Sequence, residues 1–144
     1  MAFTGNFMCT SFKVEILKAV HNFTLSTGNT FNIAMYTNSA SFTAATTAYT
    51  SSNEVTGTAY VAKGNTLVNV TPVSTSTTAF TDFGDSTWSS STITARGAMI
   101  FNDTASGDPS VVILDFGSDK SSSSGDFTIV FPTGDATSAI IRIA

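Results

Sequence analysis

Between residues 10 and 23 the apolar positions recur at Phe12, Ile16, Ala19, Val20 and Phe23, the spacing of one helical face. Thr10 or Ser11 offers a side-chain oxygen to cap the first turn. Val14 and Leu17 widen the apolar stripe, so the pattern predicts a helix over residues 10–23 that is buried on more than one side. Glu15 and Lys18 form a weakly favourable outer pair. The turn cluster Ser26-Thr27-Gly28-Asn29 closes the segment.

After Gly28 the period shortens to that of strands. Residues 31–36 alternate apolar with small or polar positions and predict the first strand. Residues 52–61 predict a second, with Gly57 as a bulge site. A turn at Lys63-Gly64-Asn65 leads into a strand over 66–70, followed by pieces at 78–83 and 86–89. Residues 92–101 read as a long strand interrupted by Gly97, and residues 110–116, 126–131 and 139–143 complete the set. Asp82-Phe83-Gly84-Asp85 and Asp115-Phe116-Gly117-Ser118-Asp119 are each followed by a serine run and a returning strand, which reads as two similar hairpins. The expected fold is mainly β: one antiparallel β-sandwich or jelly-roll-like domain over residues 1–144, with an N-terminal arm (1–9), one N-terminal helix (10–23) and strands over 30–144.

Composition sharpens this picture. The chain has 144 residues, ample for one hydrophobic core, and 12 of them are phenylalanine. Only 11% are charged, against about 25% in an ordinary soluble domain, and serine and threonine fill the vacancy. A surface wetted by hydroxyls points to burial against partners and to homo-oligomerisation, with a trimer among the possible forms. The net charge of −4, with six scattered basic residues, argues against nucleic acid as a partner. No apolar run approaches the length of a membrane span. The opening Met1-Ala2-Phe3-Thr4-Gly5-Asn6 lacks the basic and apolar regions of a signal peptide, and Cys9 stands alone, so folding in a reducing cytoplasm is expected.

Little in the sequence carries chemistry. Asp-Phe-Gly occurs twice, yet no phosphate loop or catalytic-loop signature accompanies it, so Phe83 and Phe116 are expected to point into the core from shaped turns. Asp82, Asp85, Asp115 and Asp119 are weak candidates for a calcium site if the two hairpins are neighbours. His21 has no second histidine and no Gly-x-Ser-x-Gly elbow to work with. Cys9 reads as a packed thiol. The Asn-x-Ser/Thr sequons at Asn22, Asn69 and Asn102 are what this composition yields by chance. No catalytic residue, metal or cofactor is assigned.

Several stretches carry a resemblance. They are Ser11-Phe12-Lys13-Val14-Glu15-Ile16-Leu17-Lys18-Ala19-Val20-His21-Asn22-Phe23, Ile33-Ala34-Met35-Tyr36-Thr37, residues 92–102, and residues 114–120 with 125–132. On these the chain resembles small virion structural proteins of tailed bacteriophages, which look like accessory β modules on heads or tails. The resemblance implies a non-enzymatic component of the virion, assembled in the host cytoplasm. Its partners would be the major capsid protein or other virion proteins, and its role that of a capsid decoration or cement protein. The alternative is a tail- or fibre-associated module that binds a receptor glycan, with Trp88, Tyr49 and Tyr60 as stacking platforms. The interface candidates are the apolar Phe3, Phe7 and Met8 of the arm, and Ile140, Ile141 and Ile143 near the C-terminus.

Overall fold

The computed structural model describes residues 3–144; Met1 and Ala2 of the expected arm lie outside the described residues. The elements run β1 (Phe7–Met8), α1 (Thr10–Leu17), β2 (Phe31–Tyr36), β3 (Asn65–Thr66), β4 (Asn69–Thr75), β5 (Thr78–Phe83), β6 (Ser86–Asn102), β7 (Ser110–Ile129) and β8 (Ile141–Ile143). They form two antiparallel sheets, with strand orders β1-β7-β6-β2-β3 and β4-β5-β8. Two facing sheets and one short helix make the β-sandwich with a helix that the residue pattern predicts.

A file of aromatic rings joins the sheets. Phe23 and Phe31 stack 4.4 Å apart with an interplanar angle of 5°. Phe31, on β2, also meets Phe83, on β5, at 5.7 Å, and Phe83 meets Phe131 at 6.0 Å. Offset and edge contacts of this kind add to the apolar area they bury. β2 is buried along its whole length, as a central strand covered on both faces must be.

The helix is shorter and less buried than its pattern predicts. It ends at Leu17, and only Phe12 is buried, while Leu17 is 89% exposed. The stop is a Schellman-type closure: Val20 N–H donates to Glu15 O and Ala19 N–H to Ile16 O, with Ala19 left-handed at φ 57°. Cys9, not Thr10 or Ser11, occupies the N-cap position, and no side chain caps the turn.

The largest departure concerns the two expected hairpins. β6 and β7 are continuous strands of 17 and 20 residues, so one long hairpin replaces them. The serine runs that follow each Asp-Phe-Gly lie inside the strands and pair across them. Ser91 Oγ meets Ser122 Oγ at 2.6 Å, and Thr94 Oγ1 meets Ser121 Oγ at 2.7 Å.

The long pairing survives because it is bulged. Between the pairs Trp88↔Phe127 and Ser91↔Gly125, Ser89 and Ser90 face Asp126 alone. Between Ser91↔Gly125 and Ile93↔Ser122, Thr92 faces Ser123 and Ser124. The second irregularity cancels the first, and each contains a left-handed serine, Ser90 at φ 51° and Ser124 at φ 50°. Side chains satisfy the displaced donors: Ser90 N–H donates to Asp126 Oδ1, and Ser124 N–H to Thr92 Oγ1.

A wider bulge lies further along. Between Ala95↔Lys120 and Gly97↔Asp115, Arg96 faces residues 116–119, one position against four. The second Asp-Phe-Gly is therefore mid-strand, with Gly117 at φ 77°. The first is the β5–β6 corner. Phe83 points into the core as expected, whereas Phe116 is only half-buried.

Residues 52–61 make no strand. They touch the sheets through the isolated bridges Tyr36↔Glu54 and Thr58↔Thr92. What orders the segment is a side-chain hub. Glu54 accepts from Tyr49 Oη at 2.6 Å, Tyr60 Oη at 2.8 Å and Lys63 N–H at 2.7 Å. The strand expected over 66–70 divides between β3 and β4, with Leu67 buried and Val68 exposed between them.

Candidate functional site

His21 lies past the helix, with a side chain that is 0% exposed. Asn102 Nδ2 stands 3.1 Å from its Nδ1, and Glu15 Oε2 stands 2.9 Å from its Nε2. The Asn102 Oδ1 accepts the N–H groups of Thr104 and Ala105, which fixes the amide so that its nitrogen faces the imidazole. Nδ1 therefore accepts, Nε2 donates, and His21 pins α1 to the end of β6. Cys9 is buried, and burial pushes its thiol pKa up, opposite to what a nucleophile needs.

The four aspartates do separate tasks. Asp82 is buried and receives the Phe83 N–H, while Asp85 receives the Phe131 N–H at 2.9 Å. Asp115 receives Arg96 Nε, Gly5 N–H and Gly117 N–H. Asp119 is exposed in the wide bulge. Among the described residues no three His, Cys, Asp or Glu side chains gather as a metal site.

The proposed stacking platforms are occupied by the protein itself. Trp88 is 3% exposed and packs on Tyr60 with ring centroids 6.0 Å apart. Tyr49 stacks on Phe101 at 4.7 Å, and burial followed by the Glu54 carboxylate pushes its phenol up to about 12. Lys63 lies over the same two rings and bridges Asp103 and Asp108 at 2.7 and 2.9 Å. These aromatics hold residues 37–64 to the sheet.

The six interface candidates part into three sets. Phe3 and Ile141 are core residues. The Phe3 ring lies against Gly97, where any Cβ would collide with the ring and with Leu114 O. Asn6 Oδ1 accepts the Asp115 N–H at 2.6 Å, so the arm is strapped down from both sides of Asp115. Phe7, Met8 and Ile140 converge on one groove of about 850 Å3. Ile143 is exposed at the end of β8.

The groove is the most site-like surface among the described residues. It runs along the outer edge of β7, between the arm and residues 131–140, over Leu114, Phe116, Phe127 and Val130. Beyond Ile113 no strand pairs with that edge among the described residues, because β1 covers only Val112 and Ile113. Lys120, Asp115 and Asp126 supply its charge. Such a surface has the means to hold an apolar protein segment.

A second apolar surface projects from the other sheet. Residues 71–75 of β4 are exposed throughout, and residues 78–80 of β5 are exposed or half-buried. Cross-strand register places Val73, Phe80 and Arg142 in one row, and Ser74, Ala79 and Ile143 in the next. No charged residue occurs between Asn69 and Thr81. Sequence reasoning missed this ribbon. Its signal was that uncharged run, which reads equally well as an ordinary hairpin.

No family model, curated protein or solved structure matches this chain.

Proposed function

We propose that the chain is a non-enzymatic structural module of a tailed-phage particle, a decoration or cement protein that docks on the major capsid protein or another virion protein of the head. The observation that carries this reading is the apolar groove, where Phe7, Met8 and Ile140 meet beside an uncovered strand edge. A surface with few charges and a projecting hairpin without charge between Asn69 and Thr81 agrees with a chain built to be covered in an assembly. Modest contacts repeated over a shell add up through multivalency. The resemblance of residues 11–23, 33–37, 92–102, 114–120 and 125–132 to small virion proteins is the support for the particle context. The glycan-binding alternative loses its platforms, since Trp88 is buried and Tyr49 and Tyr60 are held by Glu54.

Quantitative mass spectrometry of purified particles, with microscopy to locate the chain, tests the proposal. Hundreds of copies distributed over the head are expected. A few copies confined to the tail, or absence from particles, would overturn the head assignment.

A further inference from the structure

We infer that the chain self-associates head to tail, with the β4–β5–β8 ribbon of one copy seated in the β7 groove of the next. The two surfaces are complementary in form and chemistry. One is concave, apolar and bordered by an open strand edge; the other projects and carries the exposed Val73 and Ile143 with the half-buried Phe80. The base of the ribbon is anchored in the core by Phe83 and Ile141, while its outer end is uncovered, so a partner that covers that end adds stability.

Charge selects the occupant. Arg142 is the one charged side chain on the projecting rows, at the end of the row that begins with Val73 and Phe80. Asp126 lies exposed on the groove. A ribbon that enters with Arg142 towards Asp126 places opposite charges together and apolar side chains on apolar walls. Ribbon and groove are different patches, so the contact is heterologous: it closes into a ring if the rotation permits and otherwise extends as a chain. The inference concerns the isolated protein; it uses the groove that the proposed function gives to a virion protein, so in a particle the two contacts compete for that surface.

Two substitutions at exposed positions spoil one surface each without touching the core: Val73→Asp on the ribbon and Val130→Asp in the groove. Circular dichroism checks that both variants fold, and analytical ultracentrifugation reads their size. The wild-type chain is expected to associate with rising concentration and each variant to remain monomeric. An equimolar mixture of the two should give a dimer and nothing larger, because one intact ribbon meets one intact groove. Arg142→Glu and Asp126→Asn, which keeps an acceptor for the Ser90 N–H, should each weaken association roughly two- to five-fold, and less so at high salt. A wild-type chain that stays monomeric at its highest soluble concentration overturns the inference. So does association that survives either Asp substitution, or a mixture that fails to dimerise. Particle counting is unaffected by any of these results, so the two proposals fail separately.

Discussion

Arg96 Nε donates to Asp115 Oδ1 at 3.1 Å, at the position where one residue of β6 faces four of β7. The same carboxylate takes the Gly117 N–H inside the bulge and the Gly5 N–H of the arm. One side chain thus shapes the bulge, ties it to the neighbouring strand and fastens the segment that carries Phe3 into the core.

Replacing Asp115 with alanine removes all three acceptor contacts, and a loss of about 2–3 kcal/mol at pH 7 is expected from urea unfolding. The Gly117 N–H, with Arg96 and the Gly5 N–H, holds the Asp115 carboxyl below its ordinary range against the effect of burial. A carboxyl that is more acidic folded than unfolded stabilises the fold above the unfolded value of about 3.9. That contribution is lost as pH falls through the folded value. The gap between wild type and Asp115→Ala should therefore be full at neutral pH and narrow in stronger acid. A gap that does not depend on pH would show that the carboxylate's charge has no part in the clasp.

Asp82 predicts the opposite sign. Burial, with the Asp85 charge, pushes its carboxyl up, and the Phe83 and Ile140 N–H groups only partly offset this. Its Oδ2 is buried without a hydrogen-bond partner. The folded chain then holds the proton more tightly than the unfolded chain, so ionisation at neutral pH costs stability, which acid restores. Asp82→Asn keeps an acceptor for the Phe83 N–H and removes the charge. It should raise Tm at pH 7, with the advantage closing as wild type becomes protonated. Thermal melts across that range measure it, and a lower Tm at pH 7 would refute the sign.

Gly97→Ala should destabilise the fold by about 1–3 kcal/mol, the usual cost of overpacking a core. The added methyl group meets the Phe3 ring and the Leu114 carbonyl, and the ring is the partner able to move. Hydrogen exchange at residues 5–8 should rise with the substitution if the arm yields. Unchanged protection there would place the strain in β7.

Ala19→Gly should stabilise the chain by up to about 1 kcal/mol, because Ala19 closes α1 in a conformation that glycine adopts without a Cβ penalty. The gain is net of the extra freedom glycine gives the unfolded chain. Chemical denaturation of the pair measures it.

Strands whose residues are locally consistent were legible in the sequence. Residues 31–36 and 78–83 fold at the boundaries their alternation predicts. The helix ran long because the apolar spacing continues through Phe23, while its stop is an alanine doing what glycine usually signals. The long hairpin was hidden because serine runs and Asp-Phe-Gly are turn formers locally. Here cross-strand hydroxyl pairs and bulges keep them extended, and no short window contains both partners of a pair. The hub at Glu54 joins residues up to nine apart with the sheet, so residues 52–61 carried strand-like composition without strand pairing. The groove was half legible. Phe7, Met8 and Ile140 were marked by their apolar character near the two ends, but nothing local separated them from Phe3 and Ile141, which the arm strap and the second sheet draw inside.

The paired irregularities at Ser90 and Ser124 set a rule for how this hairpin can change length. Each strand carries one surplus residue, and the two cancel, so Trp88 and Phe127 face the same interior as Ile93. Lengthening one strand by a single residue would turn every side chain beyond that point to the opposite face and send Phe127 and Ile129 to solvent. Between Trp88 and Ile93 a change of length is therefore expected as a matched event, one residue on each strand, whereas the bulge opposite Arg96 carries its surplus on β7 alone. In related chains, changes around Ser90 and Ser124 should appear together.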